Sequence, residues 1–154
     1  VFERLKEKGN YGGRLILAGM PGAGYEVVEE YVNQSTYKND IVFGGFVTDE
    51  ELIALYSCCN VFCFVSLYEG FGIPPLEALA CGAKVVVSNT SALPEVVGEL
   101  GWKANPYSLD EIESAVNNAL EFTVNAEYKK SVAVHLKDYE WSNLGKKFEQ
   151  TVCK

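Results

Sequence analysis

The sequence predicts an α/β fold with an open, doubly wound parallel sheet, and three observations predict it. Apolar runs of four to six residues alternate with longer segments of helical period, the order of β-α-β units. The run Val61 to Val65 is apolar throughout instead of alternating, as expected of a parallel strand buried on both faces. Glycine- and proline-rich corners follow the strands, at the carboxyl edge where such folds collect their ligands.

The elements follow in order. Arg14 to Ala18 reads as the first strand, ending at Gly19-Met20-Pro21-Gly22-Ala23-Gly24, with a short helix from Tyr25 to Tyr31 and a loop from Asn33 to Asn39. Asp40 to Phe43 is the second strand, broken by Gly44-Gly45. Thr48-Asp49-Glu50-Glu51 then forms a capping box for a helix to about Cys58, whose Leu52, Leu55 and Tyr56 share one face. After the Val61 strand, Pro75 suits N1 of a helix that ends at Cys81-Gly82, with Gly82 as left-handed cap. Val85 to Val87 is a strand, Ser91 to Val97 a short helix, and Leu100 to Ala104 a strand. Ser108 to Glu111 is a second capping box, opening a helix to about Phe122, and Ala126 to Lys154 is helical by period. No repeat or linker interrupts this order, so residues 1–154 are expected to form a single domain.

Composition narrows the function. With 154 residues and 48% hydrophobic content the chain can bury well over half of its unfolded surface. A net charge of −8 without clustered Lys or Arg argues against nucleic acid as a partner. The longest apolar run is far short of the roughly 20 residues that span a bilayer, and the start lacks the apolar core of a targeting signal, so a truncated N-terminus is expected. Five cysteines without paired C-x-x-C spacing fit a reduced, cytoplasmic compartment, and Cys58, Cys59 and Cys63 are expected to be buried small hydrophobes.

The loops Gly19 to Gly24, Gly44 to Val47, Ser66 to Pro74 and Ser88 to Ser91 line the carboxyl edge. The third stands out. Glu69-Gly70-Phe71-Gly72-Ile73-Pro74-Pro75-Leu76-Glu77 places two carboxylates eight positions apart across a strand-to-helix turn. Gly70 and Gly72 lack a Cβ, which permits unusual dihedrals and close approach of a ligand. The helix N-terminus suits a diphosphate, and the N–H groups of Phe71, Gly72, Ile73, Leu76 and Glu77 are the candidate donors. Glu69, before the turn, can orient sugar hydroxyls and stabilise positive charge at an anomeric carbon. Glu77, on the helix, can take paired ribose hydroxyls, although spacing alone equally allows it to satisfy its own helix.

The segment SLYEGFGIPPLEALACGAKVVVSNTSALPEVVG resembles the E-x7-E signature region of the family 4 glycosyltransferases, in strand, motif, Cys81-Gly82 helix end, VVVS strand and Leu93-Pro94-Glu95 alike. The resemblance covers roughly Gly13 to Trp141. It implies the C-terminal, nucleotide-sugar-binding, Rossmann-like half of a GT-B fold, with the N-terminal acceptor-binding domain absent from the chain. It implies retaining hexosyl transfer to a glycan or lipid-linked acceptor, Glu69 on the donor sugar, Glu77 on the ribose, no metal and no cofactor. No D-x-D pattern is present to seat a divalent ion. DIVFGGFVTDEELIALY resembles the segment lying against the nucleotide base, which implies contacts around Phe46 and Val47.

The form of the motif is most like that of mannosyltransferases of bacterial polysaccharide pathways, with the base, GDP or UDP, left open. The resemblance also implies a cytoplasmic protein, peripheral to the membrane at most. A fragment without its acceptor domain is expected to be inactive alone. Two departures stand out. No G-R…K-G segment precedes Arg14, with Lys6, Lys8 and Arg14 poorly placed to replace its basic clamp, and Lys84, read as neutral, stands where the family usually has Pro.

A non-catalytic nucleotide-sugar-binding module and a nucleotide-sugar epimerase are the alternative readings. The glycines at 19, 22 and 24 read as a plain loop, because no acid ends the next strand. His135, the sole histidine, reads as a surface residue of the C-terminal helix. Trp102, Tyr139 and Trp141 read as packing residues for that helix.

Overall fold

The computed structural model describes residues 1–152, which cluster into two compact units, Val1–Ala54 and the residues from Leu55 onward. The first unit holds α1 (Phe2–Glu7), β1 (Leu15–Ala18), α2 (Tyr25–Gln34), a 3₁₀ turn (Lys38–Asp40) and β2 (Ile41–Gly45). Helix α3 (Asp49–Cys58) carries the chain into the second unit. There follow β3 (Phe62–Phe64), α4 (Ile73–Ala80), β4 (Val85–Ser88), α5 (Leu93–Val97), a 3₁₀ turn (Gly98–Leu100), β5 (Trp102–Ala104), α6 (Leu109–Glu121), α7 (Ala126–Lys137) and α8 (Trp141–Val152). Every strand pair is parallel, as predicted. The expected continuous sheet is observed as two hydrogen-bonded ladders, β1-β2 and β3-β4-β5.

In the first unit Leu15, Ile16 and Leu17 face Ile41, Val42 and Phe43, and a bulge then sets Ala18 opposite Gly45. The two glycines expected to end β2 are its last residues. Gly45 takes φ +60, which lets its carbonyl accept the Gly19 N–H at 2.9 Å and carries the ladder past the bulge. Helix α2 runs three residues beyond the expected Tyr31, far enough to bury Val32. The Thr48 capping box is present in both directions: Thr48 N–H donates to Glu51 Oε2 at 2.8 Å, and Glu51 N–H donates to Thr48 Oγ1 at 3.3 Å.

In the second unit β4 is the central strand and all four of its residues are buried, with α4, α5 and α6 packed against it. The expectation of a fully buried strand therefore belongs to β4. As the edge strand of its sheet, β3 is only half-buried and leaves Cys63 exposed. The buried-hydrophobe reading of the cysteines fails for the same local reason: Cys58 is exposed at the last position of α3, and Cys59 is half-buried. Cys153 lies outside the described residues.

Helix α6 begins as half a capping box. Ser108 Oγ accepts the Glu111 N–H at 3.2 Å, but the Glu111 carboxylate turns to the Asn105 N–H at 3.0 Å. Lys84 is not neutral: its Nζ donates to the carbonyls of Leu120 and Phe122, both at 3.2 Å, and so caps the end of α6 with a cation.

The C-terminal segment forms two helices instead of one, separated at 138–140. Of its aromatic residues, Trp102 packs as expected, 5.4 Å from Phe122, which lies 5.2 Å from Tyr128 on α7. Trp141 does not pack, being 89% exposed at the start of α8. His135 is half-buried, its Nε2 lying 2.7 Å from the Val96 carbonyl, so it joins α7 to α5 instead of facing water. Among the described residues no helix is long and apolar enough to cross a membrane.

Candidate functional site

The corner between β3 and α4 is built around Gly72. Its φ of +100 and ψ of 56 lie in the left-handed region, and a Cβ there would stand 2.5 Å from Leu93 Cδ2, a side chain that is fully buried. Both conditions require glycine. Gly70 differs from expectation, since it has no positive φ and a Cβ there would meet open space. The unusual dihedral expected of both glycines belongs to Gly72 alone.

The reversal at Gly72 starts α4 two residues earlier than predicted. Ile73 is N1, Pro74 N2 and Pro75 N3, and the prolines fall where an N–H has no intrahelical partner to lose. Glu77 is thereby moved from the expected N3 to the second turn. Leu76 is the first residue whose N–H can reach back to the Gly72 carbonyl, so the amides of Leu76 and Glu77 enter the helical ladder. The N–H groups of Phe71, Gly72 and Ile73 precede that ladder and are the donors left to a ligand.

The helix itself is firmly seated. Pro75, Ala78 and Leu79 are buried, and burial of Leu79 alone contributes on the order of 2 kcal/mol. Its other face carries Ile73 and Glu77, both exposed. The carboxylates of Glu69 and Glu77 have no hydrogen bond or ion pair among the described residues. Glu77 nevertheless acts on a neighbour: burial, and then the Glu77 charge, push the Tyr56 phenol up to about 12. Tyr56, read in the sequence only as part of an apolar helix face, thus lies beneath the second acid of the motif.

The loop before the helix is half-exposed and apolar in composition. Leu67 and Tyr68 are exposed, and the Phe71 ring lies 5.8 Å from Tyr139, edge to face. Tyr139 was expected to pack within the C-terminal helix region, but it also touches the motif, and its hydroxyl donates to the Glu95 carbonyl at 3.3 Å. The backbone N–H of Glu69 donates to Ser91 Oγ at 3.1 Å. Sequence reasoning named the loop of Ser91 but not this contact, which joins residues 22 positions apart. In the other unit, Phe46 is exposed and Val47 half-buried in the loop after β2. There, too, Lys6 is engaged, its Nζ 2.8 Å from Asp40 Oδ2.

Comparison with known proteins agrees with this corner. The profile of the family described as glycosyl transferases group 1 matches residues 1–132. Serotype-specific mannosyltransferase WbdA of Escherichia coli is 40% identical over 107 residues, covering 69% of this chain and 13% of that protein. O-antigen chain mannosyltransferase B, also of Escherichia coli, is 42% identical over 107 residues, covering 70% of this chain and 28% of that protein. The chain thus spans well under a third of these relatives.

Among solved structures, Anabaena Alr3699/HepE in complex with UDP superposes with a TM-score of 0.75 at 24% identity, covering 92% of this chain and 41% of that one. Sucrose-phosphate synthase from Thermosynechococcus elongatus superposes with a TM-score of 0.72 at 25% identity, over 92% of this chain and 39% of that one. The architecture is that of the GT-B glycosyltransferases, Rossmann-like with parallel strands. From the profile match and these relatives together, the chain belongs to the group 1 glycosyl transferases and resembles their mannosyltransferase members.

Proposed function

We propose that this chain is the donor-binding part of a retaining hexosyltransferase that takes mannose from a nucleotide-diphosphate sugar. The observation that carries the reading is the β3-α4 corner, where three amides outside the helical ladder stand between two carboxylates without protein partners. The diphosphate lies against the amides of Phe71, Gly72 and Ile73 and the positive end of α4. Glu69 holds sugar hydroxyls and stabilises the charge that develops at the anomeric carbon as the bond to phosphate breaks. Glu77 accepts the paired ribose hydroxyls. Phe46 and Val47, in the other unit, contact the base.

Mannose is favoured because relatives at 40% and 42% identity are named mannosyltransferases of bacterial serotype and O-antigen chains. The same names favour a glycan or lipid-linked acceptor, bound outside the segment matched here. UDP, present in the Anabaena structure, is the competing nucleotide. Transfer proceeds without a metal, the helix N-terminus replacing a divalent ion as the neutraliser of the diphosphate, and with acceptor attack on the face the nucleotide leaves.

Calorimetric titration with GDP, UDP, GDP-mannose and UDP-glucose in the presence of EDTA tests this reading. Saturable binding of GDP-mannose that is tighter than that of UDP-glucose is expected. Binding that appears only when Mg²⁺ is restored would overturn the metal-independent mechanism, and preference for UDP-glucose would overturn the choice of sugar.

A further inference from the structure

Three side-chain hydroxyls leave the segment after β4 and hold three backbone groups of the loop that carries Glu69. Ser88 Oγ, fully buried, donates to the Ser66 carbonyl at 2.6 Å. Thr90 Oγ1 donates to the Leu67 carbonyl at 3.2 Å, and Ser91 Oγ accepts the Glu69 N–H at 3.1 Å. The holding segment is itself anchored, since it continues the central strand and its Asn89 N–H donates to the Ala104 carbonyl of β5 at 2.8 Å. Two residues past Ser91, the buried Leu93 closes against Gly72 at the far end of the same corner.

Ser91 has a second distinction. Its φ of 54 makes it the one non-glycine residue in the left-handed region among those described. A serine gains nothing there from its backbone, and glycine would adopt the conformation without steric cost. Such strain persists where the surroundings over-determine it and gathers at functional sites. What serine offers and glycine lacks is the oxygen that meets the Glu69 amide.

We propose that Ser91 is a positioning residue for Glu69, its hydroxyl fixing the backbone from which that carboxylate reaches the donor sugar, with Thr90 and Ser88 holding the two preceding carbonyls. The inference rests on the reading of Glu69 given above. Ser91 does not touch the donor. It sets the start of the Glu69 side chain while Gly72 and Leu93 set the start of α4, so both ends of the amide-bearing turn are fixed from one neighbouring segment.

The test uses Ser91→Gly, which keeps the backbone conformation and removes the hydroxyl, and Ser91→Asn, which tolerates the left-handed region and supplies a carbonyl oxygen as acceptor. Amide hydrogen exchange is measured on the 154-residue chain, and transfer kinetics on the protein at its natural length. Ser91→Gly is expected to speed exchange of the Glu69 amide about tenfold and to lower kcat about tenfold with little change in donor KM, the loss of one positioning hydrogen bond. Ser91→Asn is expected to restore most of both. Ser91→Gly added to Glu69→Ala is expected to cost nothing further, because the two act as one unit.

Wild-type exchange and kcat in Ser91→Gly would overturn the inference and reduce Ser91 to a tolerated turn residue. A loss in kcat that is equally large in the Glu69→Ala background would overturn it as well. The premise fails separately, and with it the inference, if Glu69→Ala alone keeps wild-type turnover.

Discussion

The two acids of the motif take different work from their positions, and substitutions should separate them. Glu69→Ala is expected to lower kcat by about 10² to 10³ with donor affinity nearly kept, since it removes a charge aimed at the reacting carbon. Steady-state kinetics of the protein at its natural length reads this. Glu77→Ala is expected to raise the donor Kd about tenfold with kcat largely preserved, the loss of a charge-assisted hydrogen bond to the ribose. Both acids were legible as a pair because their spacing and the glycines between them stand in one short stretch. Ser91 and Tyr139 were not, because each meets the motif only in the folded chain, Tyr139 through the Phe71 ring and Ser91 through the Glu69 amide. Lys84 was misread for the same reason: the two carbonyls it caps lie 36 and 38 positions away.

At the scale of elements, the turn into α4 is decided by Gly72. Gly72→Ala meets a left-handed backbone and the Leu93 side chain together, so a loss of about 2 to 4 kcal/mol is expected, read as a lowered midpoint in urea unfolding of this chain. Gly70→Ala, with open space and no positive φ, should leave that midpoint nearly unchanged, and a loss confined to donor binding would show that a ligand occupies the space. Lys84→Met is expected to cost about 1 kcal/mol by removing the cation at the end of α6, also read by urea unfolding. Caps were the most legible feature of the elements. Thr48 with Glu51, and Ser108 with Glu111, hold the helix starts that their spacing predicts, because capping is a contact between residues three apart. The start of α4 was misplaced because two prolines in sequence suggested N1, whereas the left-handed Gly72 before them admits the chain to the helix sooner. The break at 138–140 was missed because the helical period continues through it.

At the scale of the molecule, parallel strands alternating with helices were legible from apolar runs, and the solved GT-B structures share that architecture over 92% of the chain. Which strand is central was not legible, because apolar runs of similar length describe both the edge strand β3 and the central β4. The central claim is that the amides of Phe71, Gly72 and Ile73, set between Glu69 and Glu77, receive the donor diphosphate. Amide chemical-shift mapping during titration of the ¹⁵N-labelled chain with GDP-mannose tests it most directly. Saturable shifts at those three residues are expected, with Glu69 and Glu77 responding at the same midpoint. Saturable shifts elsewhere that leave these amides unmoved, or no saturable shift at millimolar donor, would contradict it.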